Sequence, residues 1–128
     1  MKFSIIKSVH AHCDLPCGVY DPAQAIIEAQ SVLAIMKKYE ELEHEEDRWR
    51  AIMIKEQRAE LVKHHLWVLW TDYFKPEHAQ VHPDLHEKIW QAAKQAGVCK
   101  KTVHATEGQK LLDQIDEIAK IFWETKKA

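Results

Sequence analysis

The sequence predicts an all-α fold, an antiparallel four-helix bundle with a short hook at its N-terminal end. Three observations carry this. Glycine and proline are scarce, three and four in 128 residues, so chain-breaking turns are few. Apolar residues recur at three- and four-residue spacing in four separate stretches, the pattern of amphipathic helices. No stretch sustains the two-residue alternation of a half-buried strand. A length of 128 residues suits one domain, with a core that buries roughly two-thirds of the unfolded surface.

The first helix opens at Asp21-Pro22-Ala23-Gln24. Asp21 can cap, Pro22 suits the first helical position, and Gln24 can reach back as in a capping box. Its inward face carries Ile26, Ala29, Leu33, Met36 and Tyr39. The acidic run Glu40 to Asp47 holds neither Gly nor Pro and reads equally as a connection or a continued helix.

The second helix covers Trp49 to Phe74, with Ile52, Ala59, Val62, Leu66, Leu69 and Tyr73 as its stripe. Trp67 and Trp70 flank that stripe, so this helix is expected to be covered on more than one side. Lys75-Pro76 ends it, and Glu77 to Asp84 reads as a loop. The third helix turns Leu85, Ile89, Trp90 and Ala93 inward, and Gly97 is its natural stop. After a loop from Val98 to Ala105, Thr106-Glu107-Gly108-Gln109 reads as a capping box. The fourth helix carries Leu111, Ile115, Ile118 and Phe122. Four such helices with short links make a bundle.

Composition narrows the function. Apolar residues make up 46% and charged residues 30%, with a formal net charge of −2, an ordinary globular balance. Acids and bases are interleaved, without the basic face of a nucleic-acid binder. No apolar run approaches the ~20 residues of a membrane span. The three cysteines, Cys13, Cys17 and Cys99, do not form a disulfide framework. A reducing, cytoplasmic setting is expected, where close cysteines more often bind metal or do redox work. Residues 1–11, MKFSIIKSVHA, have too short an apolar stretch for an export signal. They read as a frayed end or as a pro-segment removed by a maturation peptidase.

The chemistry concentrates in His12-Cys13-Asp14-Leu15-Pro16-Cys17-Gly18-Val19-Tyr20. Pro16 and Gly18 oppose a helix there, and a tight hook would bring the sulfurs of Cys13 and Cys17 together. A disulfide, a zinc ion and a redox metal are all open to such a hook. Zinc wants four side-chain ligands in a tetrahedron, whereas nickel(II) or copper(II) accepts a flat set of N and S donors. Cleavage at Ala11-His12 would create an α-amine able to donate, since its reference pKa is ~7.7–8.0.

The run HCDLPCGVYDPAQA resembles the nickel-hook motif of the nickel-containing superoxide dismutases. The resemblance continues through KEQRAEL at Lys55 to Leu61, KHH at Lys63 to His65, DYFKP at Asp72 to Pro76 and IFWETKKA at Ile121 to Ala128. It spans His12 to Ala128 and is weaker from about Glu40 to Ile52 and around Val98 to Ala105. It implies a leader of residues 1–11 and a dismutase domain of residues 12–128, with the hook at 12–20 and the bundle at 21–128. It implies one nickel ion per subunit, superoxide as substrate and a homohexamer. Cys13 and Cys17 would give thiolates, Cys13 its amide nitrogen, and His12 its new amine and an axial imidazole. Glu28 and Arg58 would orient that imidazole, and Tyr20 and Tyr73 would line the substrate pocket. Lysines such as Lys75 would attract the anion locally.

Two other functions compete: a non-catalytic nickel or copper carrier using the same hook, and a thiol redox protein cycling Cys13 and Cys17. The Cys-x-x-x-Cys spacing weakens the second. The remaining motifs have plain readings. His64 and His65 should point to different sides of a helix. His82 and His86 lie four apart, but Pro83 marks a helix start there. His44 is expected in solvent, Cys99 as a buried thiol, and the five tryptophans in the core or at subunit contacts.

Overall fold

The computed structural model describes residues 17–127. Among these, helices are α1 (Ala23–Tyr39), α2 (Glu45–Val68), α3 (Pro76–Val81), α4 (Leu85–Lys100) and α5 (Ala105–Lys127), and a π-helical turn, Leu69–Tyr73, extends α2. The expected all-α architecture is present. The long helices α1, α2, α4 and α5 pack in a cycle, each against two neighbours. The helix α3 is an addition to it.

Helix α1 starts where local chemistry says it should. Asp21 Oδ1 accepts the Ala23 N–H at 2.8 Å, and Ile26 N–H donates to Pro22 O at 3.1 Å as the first helical bond. Its buried stripe is Ala25, Ala29, Val32, Leu33 and Met36, one position off the expected set at its start, so that Ile26 lies at the margin. The acidic run resolves into a turn followed by α2, whose first turn carries Glu45, Glu46 and Asp47. Carboxylates there oppose the positive end of the helix dipole.

In α2, Ala59, Val62, Leu66 and Leu69 are buried as expected. Lys55 is buried with them. Its ammonium donates to Cys99 O at 2.6 Å and Lys100 O at 2.9 Å, carbonyls of the last turn of α4. Helix ends leave such acceptors without internal partners, and this lysine supplies them from another helix. Burial holds its pKa below the ordinary lysine value.

Three expectations are corrected. Pro76 ends one helix and begins another: it is the first residue of α3, so the expected loop is helical in its first half. Gly97 does not stop α4, which runs on to Lys100. A Cβ at that glycine would lie 3.3 Å from Lys63 Nζ. Thr106 does not cap α5, which begins at Ala105, and Gln109 instead donates to Asp113 at 2.8 Å.

The core joins all four long helices, from Met36 through Leu66 and Ile89 to Ile115, Ile118 and Phe122. Trp90 was assigned inward but is exposed; Leu85, Ile89, Ala92, Ala96 and Cys99 form the buried stripe of α4. All five tryptophans are between 42% and 59% exposed, so none is a core residue. Gly108 marks a close helix approach. A Cβ there would lie 2.8 Å from Met36 Sδ and 3.2 Å from Leu33 Cα.

Candidate active site

The described chain begins at the end of the hook. Gly18 has φ +69° and a Cβ on it would meet nothing within 4 Å. Backbone conformation rather than space therefore calls for glycine there. This turn folds Val19 back on Cys17, whose Sγ accepts the Val19 N–H at 3.4 Å. Cys17 is exposed, at the head of the bundle rather than in its core.

The hook leads to Tyr20, whose ring lies 5.6 Å from that of Tyr73. The π-helical turn brings Tyr73 to this place. Phe74 N–H donates to Leu69 O at 2.9 Å, a five-residue bond that widens the last turn of α2. Lys75 is then extended at φ −113° and ψ 163°, as the proline after it demands. Tyr73 is packed against Phe122 at 4.4 Å between ring centres, and its hydroxyl meets Thr125 Oγ1 at 2.6 Å.

Together these residues form a recess of about 410 Å³ lined by Gly18, Tyr20, Asp72, Tyr73, Lys75, His78, Thr125 and Lys126. Two ammonium groups face one carboxylate, so the recess favours a small anion. Lys126 Nζ stands 5.1 Å from the centre of the Tyr73 ring.

Glu28 and Arg58, on α1 and α2, meet as expected of partners. Arg58 Nη1 donates to both carboxylate oxygens of Glu28 at 3.2 Å. The Glu28 side chain is 15% exposed and that of Arg58 37%. Arg58 Nε is buried and has no hydrogen-bond partner among the described residues.

The assigned ligands His12 and Cys13 lie outside the described residues, so of the metal set Cys17 alone is placed. The other histidines behave as separate groups. His82 pairs with Glu124 at 3.2 Å, and His86 accepts the Trp70 indole N–H at 2.6 Å. His64 and His65 were expected on different sides of α2, yet their rings meet edge-on at 5.4 Å. Cys99 is buried as expected; burial first and the charge of Glu107 second push its thiol up to about 11. Sequence reasoning missed Asp72, His78, Thr125 and Lys126 as lining residues. Asp72, Thr125 and Lys126 sat inside the quoted DYFKP and IFWETKKA runs, while His78 carried a signal of its own, three residues after a helix-starting Lys-Pro.

A cysteine turn thus stands beside a cationic, tyrosine-walled recess on a helical bundle. The family model described as nickel-containing superoxide dismutase matches residues 7–126, and the chain belongs to that family. It is 58% identical over 120 residues to the superoxide dismutase [Ni] of Streptomyces seoulensis, covering 94% of this chain and 92% of that protein. The corresponding protein of Streptomyces coelicolor (strain ATCC BAA-471 / A3(2) / M145) is 54% identical over 121 residues, with the same coverage of both chains. Among solved structures, a native nickel superoxide dismutase superposes with a TM-score of 0.89 at 55% identity, covering 91% of this chain and all of that one. A structure of the enzyme with nickel ligation of the oxidised state matches equally, at 57% identity.

Proposed function

We propose that this chain is a nickel-dependent superoxide dismutase. Two superoxide anions and two protons give one dioxygen and one hydrogen peroxide. The observation that carries the reading is the placement of Cys17 and its left-handed Gly18 turn against a recess walled by two tyrosines and two lysines. Membership in the family supplies the metal.

The donor set fits nickel. Thiolates of Cys13 and Cys17, the amide nitrogen of Cys13 and the α-amine of His12 are the flat N and S donors that nickel(II) accepts. Bound nickel supplies the one-electron couple that the reaction needs. The amine requires removal of residues 1–11 by a peptidase.

The rest is done by the chain's own side chains. Lys75 and Lys126 draw the anion into the recess at distances within a Debye length of ~8–10 Å. Tyr20 and Tyr73 narrow the approach. Glu28 and Arg58 would hold the imidazole of His12, for which the buried Arg58 Nε is a donor without a partner among the described residues. Partners of this kind set ring orientation and basicity. The five half-exposed tryptophans support assembly into a homohexamer, which sedimentation velocity would register.

The test compares protein beginning at His12 and loaded with nickel against the uncut chain and the Cys13→Ser and Cys17→Ser variants. Superoxide decay after pulse radiolysis should be fast for the first and near the uncatalysed rate for the others. Full activity of the uncut chain with zinc would overturn the reading. A loaded protein that binds nickel without dismuting superoxide would favour a carrier instead.

A further inference from the structure

His78 lines the recess and is held there by three contacts. Its Nδ1 accepts the backbone N–H of Lys75 at 3.0 Å, the side-chain half of a helix cap. Its ring stacks on Tyr73 at 5.8 Å and 20°, and meets Phe74 edge-on at 6.0 Å. A ring nitrogen that accepts a backbone N–H carries no proton, so the imidazole proton is on Nε2 while that bond is made.

Of the other lining side chains, Tyr20 has a partner of its own, and the remainder are spoken for or charged. Thr125 donates its one hydroxyl proton to Phe122 O at 2.5 Å. The 2.6 Å contact between Tyr73 and Thr125 is therefore donated by the Tyr73 hydroxyl, whose proton stays within the protein. Asp72 lies 3.1 Å from Thr71 Oγ1 and, as a carboxylate, has nothing to donate to an anion. Lys75 and Lys126 bring charge on long, mobile stems. Among the described residues, His78 Nε2 makes no hydrogen bond. It is a neutral N–H donor on a fixed ring, and that ring lines a recess with a positive balance.

We propose that His78 is a substrate-binding residue. Its Nε2–H donates a hydrogen bond to the superoxide anion in the recess, and the bond from Lys75 N–H to Nδ1 keeps that donor in place. The assignment rests on the dismutase reading above. His78 does not supply the protons of the reaction: loss of the Nε2 proton would leave an imidazolate, with Nδ1 already occupied by a donor. Its contribution is direction, where the lysines contribute attraction.

Two substitutions separate this role from capping. In His78→Asn the amide oxygen sits near the place of Nδ1 and keeps the cap, while the Nε2 donor is gone. In His78→Gln the amide nitrogen reaches the place of Nε2, while the cap acceptor is lost. The probe is azide, a small anion, titrated into the full chain without metal and followed by 15N NMR of the backbone amides around the recess in all three proteins, and of the His78 ring in the parent. The His78 Nε2–H resonance should shift saturably in the parent. His78→Asn should weaken azide about tenfold, the scale of a hydrogen bond to a charged group, with an unchanged melting temperature. His78→Gln should bind azide within about twofold of the parent and melt about 3 °C lower, as loss of a cap implies. In the nickel-loaded protein starting at His12, kcat/KM should follow the same order. Azide affinity that ignores His78→Asn, or that falls equally in both variants, would overturn the proposal. A loaded parent that does not dismute superoxide would instead overturn the dismutase reading, and the azide result identifies which has failed.

Discussion

Arg58 reaches from α2 to α1 and places one nitrogen 3.2 Å from each carboxylate oxygen of Glu28. The pair is half-shielded rather than buried, so its worth to folding is small, about 1 kcal/mol or less. Its geometry leaves the buried Nε of Arg58 as a donor without a partner among the described residues. That combination, little stability at stake and a held donor to offer, fits the positioning role proposed for the pair.

Arg58→Lys keeps the charge and loses the planar fork. Nickel-loaded protein with this change should lose about 10- to 100-fold in dismutase rate, the usual scale for groups that orient a ligand. Its urea midpoint should move little. An unchanged rate with a lowered midpoint would make the pair a structural strut.

Gly108→Ala tests the close contact of α5 with α1. Alanine gains about 1 kcal/mol in helix propensity over glycine. The added methyl must displace Met36 Sδ from 2.8 Å and press on the backbone at Leu33 Cα, 3.2 Å away. Overpacking of this kind costs about 1–3 kcal/mol, and backbone gives way less readily than a side chain. The net result should be a loss of about 1 kcal/mol in urea unfolding. A stabilised variant would show that α1 and α5 have slack at this point.

Cys99 gives a pH dependence with a defined sign. Its folded pKa is raised from 9.0 to about 11, chiefly by burial and next by the charge of Glu107, with Lys55 opposing. A raised acid holds its proton in the folded state after the unfolded chain has lost it. The stability contributed by the neutral thiol is therefore complete below pH 9 and is lost as pH rises toward 11. The two units correspond to roughly 2–3 kcal/mol. Lys55, whose pKa is lowered by burial, acts in the opposite sense in the alkaline range. The comparison must therefore be between the parent and Cys99→Ala, each without metal, by urea unfolding at pH 8.5 and 11. The parent should lose more stability than the variant over this interval; equal losses would show that the thiol does not titrate as described.

What the sequence reveals differs from element to element. The start of α1 was legible because Asp21 and Pro22 act on their own neighbours. The stripe of α5 was legible because Leu111, Ile115, Ile118 and Phe122 follow a strict period, and all four are buried. The stripe of α4 was misjudged at Trp90, because apolar size says nothing about direction when a side chain can project outward. Pro76 was read as a stop alone, although proline is equally at home in the first turn of a helix.

The candidate site divides along the same line. The hook, the two tyrosines and Arg58 lie in runs that resemble the family's, and Glu28 was named beside Arg58 from the same resemblance. By itself the sequence determined an all-helical chain and pointed to a cysteine-bearing turn at its head, since caps, spacing and donor chemistry are local. Tertiary structure alone decided that the π-helical turn after α2 sets Tyr73 against Tyr20, and that the C-terminal end of α5 closes the recess with Thr125 and Lys126. It alone decided that Lys55 is buried to satisfy the end of α4. These are contacts between segments far apart in the chain, and they exist only once the core has set the helices in register.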